Sequence, residues 1–296
     1  MSERNITAPP LQGKRILVTR TRDQAGVLSE RLKALGALPV EFPTIRIAAP
    51  LDWTPLDEAL QRLCVVDEEG DPYYSWLVFT SANGVRSCFE RLSLLGYTAQ
   101  VRQALARVRV AVIGPATAAA LAHYGVKATL VPTEYIAEQV VAAIVEENRR
   151  RGESLEGKRV LLARAAEARK VMVSGLQQAG AIVDEVAAYR TVSAAGEDEQ
   201  GRKVLRLLQD QQLDMMTFTS SSTVRHFMHW LADCASETGT AATDLVTRNP
   251  RLKIACIGPI TSQTARQLGL HVHIQAREFT IDGLVGAIVE HEDKSD

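Results

Sequence analysis

With 296 residues, 46% of them apolar and 23% charged, the chain has apolar material for two cores and an ordinary globular make-up, which excludes a fibrous or disordered protein. A formal net charge of −1 supplies no basic field, so nucleic acid is not an expected partner and any anionic ligand must be held by local donors. Four cysteines without a CxxC pair give no zinc site or disulfide framework and suit a reducing cytoplasm, no run reaches the roughly 18 apolar residues of a membrane helix, and residues 1–12 lack an apolar signal core.

In chain order, short apolar runs rich in β-branched residues alternate with longer amphipathic stretches, the pattern of a parallel sheet with helices on both faces. Strands are predicted at residues 15–19, 38–42, 76–79, 109–113 and 129–131, and again at 159–163, 182–187, 215–218, 253–257 and 271–274, with helices in the intervals. Residues 67–72, 93–100, 149–156 and 235–250 are polar or turn-rich and read as loops, the last holding the insertion Ser236-Glu237-Thr238-Gly239-Thr240. The two sets of strands are copies. Gly13-Lys14-Arg15 recurs 144 positions later as Gly157-Lys158-Arg159, Leu35-Gly36-Ala37 as Ala179-Gly180-Ala181, and Ile113-Gly114-Pro115-Ala116-Thr117 as Ile257-Gly258-Pro259-Ile260-Thr261. Only Phe79-Thr80-Ser81 against Phe218-Thr219-Ser220 slips, to 139. Two copies of a five-strand α/β module imply two similar flavodoxin-like, doubly wound parallel-sheet domains, with a cleft between them where paired motifs meet around one ligand.

The candidate chemistry sits in the paired turns. Residues 79–86 and 218–225 each put hydroxyl side chains where a strand ends and a helix begins, and free backbone N–H groups with the positive end of the helix dipole make a carboxylate- or phosphate-sized site there. Plain N-capping accounts for one such copy, and a second copy at the equivalent position weakens that reading. Gly114-Pro115-Ala116-Thr117 and Gly258-Pro259-Ile260-Thr261 form a second pair, with glycine permitting close backbone approach and proline suited to a first helical turn. All four turns fall at the carboxyl ends of parallel strands, where open α/β sheets bind ligands, so an anion with several carboxylates is the expected guest. No GxGxxG follows either first strand and no GxxxxGK[ST] occurs, so dinucleotides and nucleoside triphosphates have no support. His226 and His229 lack a third ligand of suitable spacing, and Ser220-Ser221-Ser222 lacks a GxSxG elbow, so neither a metal nor a hydrolase nucleophile is expected.

Phe79-Thr80-Ser81-Ala82-Asn83-Gly84-Val85, the two Gly-Pro-x-Thr turns, Tyr189-Arg190-Thr191-Val192 and the stretch 218–225 together resemble the uroporphyrinogen-III synthase family, over about residues 13–290. The resemblance implies a lyase of tetrapyrrole (haem, sirohaem or cobalamin) biosynthesis, a cytoplasmic monomer that needs no metal or organic cofactor. Its substrate would be hydroxymethylbilane, a linear polycarboxylate tetrapyrrole, closed to uroporphyrinogen III with inversion of the last pyrrole ring through a spiro intermediate and loss of water. It also implies that the domains interleave the copies, 1–45 with 193–296 forming one and 46–192 the other, joined by two extended crossings at 42–48 and 189–195. Tyr189 stands where the family carries a cleft tyrosine, so its phenol is a candidate proton donor, with bracing of the hinge by its ring as the other role. Ser81, Thr117, Ser220 and Thr261, with Thr80 and Thr219 beside them, are candidate substrate-carboxylate positions. Arg20 and Arg164, ending the first strand of each copy, are candidate charge-assisted contacts or else solvated surface. Residues 1–12 and 235–250 depart from the family's pattern. The rival class is a two-lobed binding protein that closes on an anionic metabolite without transforming it, which fold and anion turns suit equally.

Overall fold

The computed structural model describes residues 9–66, 70–194, 199–236 and 241–294. Its strands are β1 (Arg15–Val18), β2 (Leu38–Glu41), β3 (Ile45–Ala48), β4 (Trp76–Phe79), β5 (Arg109–Val112), β6 (Arg159–Ala165), β7 (Ile182–Ser193), β8 (Met215–Phe218), β9 (Lys253–Cys256) and β10 (Ile274–Gln275). Its helices are α1 (Arg22–Ala34), α2 (Thr54–Leu63), α3 (Ala82–Leu94), α4 (Thr98–Ala104), α5 (Pro115–His123), α6 (Ala137–Arg150), α7 (Val171–Gln178), α8 (Glu199–Gln209), α9 (Ser221–Ser236), α10 (Ala242–Thr247), α11 (Pro259–Gln267) and α12 (Ile281–Glu292). The chain divides into two compact units, one made of the segments that end at Arg46 and begin at Val192, the other of Ile47–Thr191, and it passes from one to the other within β3 and within β7.

The first unit holds a five-stranded sheet in the order β10-β9-β8-β1-β2, with parallel pairing throughout. Numbered within the unit this is the 2-1-3-4-5 order of a flavodoxin-like sheet, and β1 and β2 come from the first sequence copy while β8, β9 and β10 come from the second. The second unit repeats the scheme as β7-β6-β4-β5, with β3 added outside β7. Central strands are buried on both faces, as a helix-covered parallel sheet requires: every residue of β4 and of β8 is buried. Alternation divides each core in two. Leu17, Met216 and Phe218 pack with α8 and α9 residues on one face of the first sheet, and Ile16, Val18 and Met215 pack with α1 and α12 residues on the other. In the second unit Leu77 and Phe79 face α3, while Trp76 and Val78 face α6 and α7 residues.

The repeat survives in the turns because the turns need the same residues. Gly36 and Gly180 close α1 and α7 at φ +88° and +89°, a left-handed conformation that glycine adopts without steric cost. Each then accepts a hydrogen bond from the repeat's opening glycine, Gly13 N to the Gly36 carbonyl and Gly157 N to the Gly180 carbonyl, both at 2.9 Å. A side chain at either position would also collide with Gln12 or Glu156.

Several expected boundaries move. Residues 129–131 form only a single parallel bridge, Ala111 to Leu130, since Pro132 ends any further pairing. The strand expected at 271–274 shortens to β10. β3, expected as part of an extended crossing, is hydrogen-bonded sheet, and β7 runs on through 189–193 instead of stopping at 187. Two expected loops contain helices: α4 begins inside 93–100 with Val101 and Ala104 buried, and α10 lies in 235–250 with Leu245 and Val246 buried. Parts of the features expected at 1–12, 67–72, 189–195 and 235–250 lie outside the described residues.

Candidate active site

In the second unit β4 delivers Thr80 and Ser81 to the carboxyl edge of its sheet. Ser81 is extended and caps α3, its Oγ accepting the Gly84 N–H at 3.1 Å. Gly84 lies so close to β6 that an added Cβ would stand 3.1 Å from the Ala163 carbonyl oxygen, so glycine lets the first turn of α3 rest directly on the sheet. β6 neighbours β7, which carries Tyr189 into the same place. The tyrosine ring is 7% exposed, and its Oη lies 2.9 Å from Ser81 Oγ across 108 residues of sequence. Burial pushes the phenol's pKa up, the Ser81 hydrogen bond acts against that rise, and the negative charge of Glu167 adds to it.

The Gly-Pro turns are built alike in both units. Gly114 and Gly258 are extended N-caps with proline at the first helical position, and Thr117 and Thr261 are buried one turn on. An aromatic ring lies on each glycine: an added Cβ would meet Tyr135 Cγ at 3.0 Å at Gly114, and Phe279 Cδ1 at 3.0 Å at Gly258. Tyr135 and Phe279 are themselves 144 residues apart. Sequence reasoning missed them, although Glu134-Tyr135 against Glu278-Phe279 at that offset was the signal that could have found them.

The first unit keeps the cap but not the phenol. β8 delivers Thr219 and Ser220, and Ser220 Oγ accepts the Thr223 N–H at 3.2 Å. Ser221 Oγ donates to the Ile260 carbonyl at 3.3 Å and accepts from Thr264 Oγ1 at 2.9 Å, which ties the first turn of α9 to that of α11. Tyr189's repeat equivalent, 144 positions earlier, is the buried aliphatic Ile45.

The two arginines differ. Arg20, just beyond β1, donates from Nη2 to Gln24 Oε1 at 3.0 Å, while its Nε is buried without a hydrogen-bond partner among the described residues, and this burial lowers its pKa. Arg164 is not solvated surface, and its guanidinium is already engaged. It lies inside β6, 3% exposed, with Nε and Nη2 donating to Glu185 Oε1 at 2.9 and 2.5 Å and Nη1 donating to the Arg169 carbonyl at 2.7 Å. Burial draws the Glu185 pKa up, but hydrogen bonds from Lys170 and Arg164 outweigh it and hold the carboxyl below its ordinary value. His229 sits in an exposed pair with Asp233 at 3.4 Å. Among the described residues no three His, Cys, Asp or Glu side chains are placed to hold a metal ion, and no helix is long and apolar enough to cross a membrane.

The family model described as uroporphyrinogen-III synthase HemD matches residues 26–286. The chain belongs to the uroporphyrinogen-III synthase family. It is 36% identical over 282 residues to the uroporphyrinogen-III synthase of Synechococcus elongatus, covering 94% of this chain and 96% of that one. It is 32% identical over 281 residues to the porphyrin biosynthesis protein HemD of Ruminiclostridium josui, covering 95% of this chain and 49% of that longer protein. Among solved structures, a mutant uroporphyrinogen III synthase from Thermus thermophilus matches with a TM-score of 0.64 at 16% identity, over 96% of this chain and all of that one. The Helicobacter pylori uroporphyrinogen-III synthetase matches with a TM-score of 0.55 at 15% identity, over 94% and 99%. Membership in this synthase family makes the chain an enzyme of tetrapyrrole biosynthesis, a lyase, and disfavours the non-catalytic binding protein.

Proposed function

We propose that the protein closes hydroxymethylbilane to uroporphyrinogen III with Tyr189 as the proton donor. The observation that carries this reading is the buried phenol against the cap of α3, at the carboxyl edge of the second sheet. The hydroxymethyl C–O bond breaks with its electron pair leaving on oxygen, the phenol proton joins it, and water departs. The electron-rich pyrrole spreads the charge left behind, so one weak acid suffices and the main task is holding the substrate in the folding that favours spiro attack. The phenolate then recovers the proton shed as the last ring regains aromaticity.

Thr80, Thr117, Thr219, Ser220 and Thr261 are proposed to take substrate carboxylates together with the free N–H groups of their helix starts. Arg20 joins them, its buried Nε lacking a protein partner among the described residues. Arg164 is left out because its guanidinium is already bonded. The division into 1–45 with 193–296 and 46–192 belongs to the same reading, supported by the pairing of β1 with β8. So does a cytoplasmic monomer acting on a free small molecule rather than nucleic acid, in keeping with the formal charge of −1. The test is incubation with enzymatically generated hydroxymethylbilane and chromatographic separation of isomers. Catalytic formation of the type III isomer is expected, and stoichiometric binding with only the spontaneous type I product would overturn the reading.

A further inference from the structure

We propose that Ser81 is a positioning residue for Tyr189 and not a ligand for a substrate carboxylate: held by the Gly84 N–H, its hydroxyl donates to the phenol oxygen and fixes where the phenol proton points. This rests on the reading of Tyr189 as proton donor. A serine hydroxyl has one hydrogen to give. Ser81 Oγ already accepts the Gly84 N–H at 3.1 Å and lies 2.9 Å from Tyr189 Oη, so donation to the phenol leaves no hydrogen for a carboxylate.

The direction of that bond follows from what stands behind it. The chain Gly84 N–H to Ser81 O–H to Tyr189 Oη runs in one sense out of the α3 N-terminus, and each bond polarises the next. The helix's positive end favours negative charge on the phenol oxygen at the moment its proton leaves. In the opposite sense Tyr189 would spend its proton on Ser81 and have none for the substrate. The Ser81 bond lowers the phenol's pKa against the rise caused by burial, which agrees with a donor that stabilises phenolate. The first unit supplies an internal comparison. Ser220 makes the same cap, to the Thr223 N–H, and Ile45 stands in the tyrosine's repeat position, so there the serine has no phenol to serve.

The experiment is a double-mutant cycle on type III formation from hydroxymethylbilane, with kcat and KM measured separately and melting temperature recorded for each variant. Ser81→Ala is expected to lower kcat about ten-fold, the scale of a hydrogen bond to a developing charge, with KM nearly unchanged. Ser81→Thr, which keeps the hydroxyl, should recover most of the rate, and Ser81→Ala should cost no further kcat in a Tyr189→Phe background. Should Ser81→Ala fail to fold, Ser81→Gly, which retains most of the helix capping, serves instead. Independent, multiplying losses in the double variant, or a raised KM at unchanged kcat, would overturn the proposal and return Ser81 to the carboxylate sites. A Tyr189→Phe enzyme with wild-type kcat would sink the proton-donor reading itself, and is recognisable without any Ser81 variant.

Discussion

Arg164, Thr117 and Thr261 are all buried, yet they predict opposite separations of stability from binding. A guanidinium that is 3% exposed and bonded to Glu185 and a backbone carbonyl is part of the second unit's frame. Arg164→Ala would leave Glu185 short of a buried partner, which is expected to destabilise the protein by roughly 3 kcal/mol, the lower end for breaking a buried pair, because Glu185 keeps some solvent contact. KM of the protein that remains folded should stay near wild type, and a raised KM with unchanged thermal stability would restore the arginine as a substrate contact. Thr117 and Thr261 predict the opposite separation. Valine matches their volume and removes only the hydroxyl, so Thr117→Val and Thr261→Val are expected to leave the melting temperature in place. Product affinity should weaken by about 1–3 kcal/mol per site if the hydroxyl meets a carboxylate. Titration calorimetry with the product checks this, and wild-type affinity in both variants would end the ligand role.

The Gly-Pro turns of α5 and α11 depend on a close approach that the sequence displays only as a repeat. A Cβ at Gly114 would stand 3.0 Å from Tyr135, so Gly114→Ala must push the ring or the turn aside. It is expected to cost about 1–3 kcal/mol, as overpacking does. Removing the ring in Gly114→Ala/Tyr135→Ala should return part of that cost relative to Tyr135→Ala alone, and thermal melts of the three variants decide it. Much of this architecture was legible beforehand. The apolar runs of β1, β4, β6, β8 and β9 announce central strands because both faces are buried, and the 144-residue offset aligns the two sets of turns. What stayed hidden depends on edges and on distance. β3 is an outer strand with a mixed burial pattern, and α10 is a short helix whose buried Leu245 and Val246 are surrounded by polar residues. The candidate site was half visible. Ser81 and Tyr189 were each singled out, but their meeting is set by β4, β6 and β7 lying side by side, and no local pattern encodes it. The pairing of Arg164 with Glu185 was not legible, because Glu185 sits on the neighbouring strand, opposite Leu162, where periodicity along β6 alone does not reveal it.

Each unit has its own cores, so stability need not be lost in one step, and the titratable groups are unequally placed between the units. His273 belongs to the unit that contains β9 and β10. Its Nδ1 accepts the Ile254 N–H at 3.1 Å, which only a neutral Nδ1 can do. Burial, then the nearby charges of His271, Lys253 and His291, lower its pKa to about 4 from 6.5, against a smaller upward pull from the His271 backbone. The sign follows from proton counting: between those two values the unfolded chain binds a proton that the folded chain refuses, so stability falls as pH drops through this window and levels off below it. Partial exposure of the ring discounts the effect to about 1 kcal/mol, or roughly 2–4 °C in melting temperature for a unit of this size. His273→Gln abolishes the titration, so the gap between wild-type and variant melting temperatures should change from pH 7 to pH 4 by that amount, with the wild type losing more. Trp230 is the first unit's lone tryptophan, while Trp53 and Trp76 lie in the second. Fluorescence of a variant with both Trp53 and Trp76 replaced by phenylalanine therefore follows the first unit alone. The acid-dependent shift should appear in that signal, and an equal shift in a Trp230→Phe protein reporting on the second unit would place its origin elsewhere than His273.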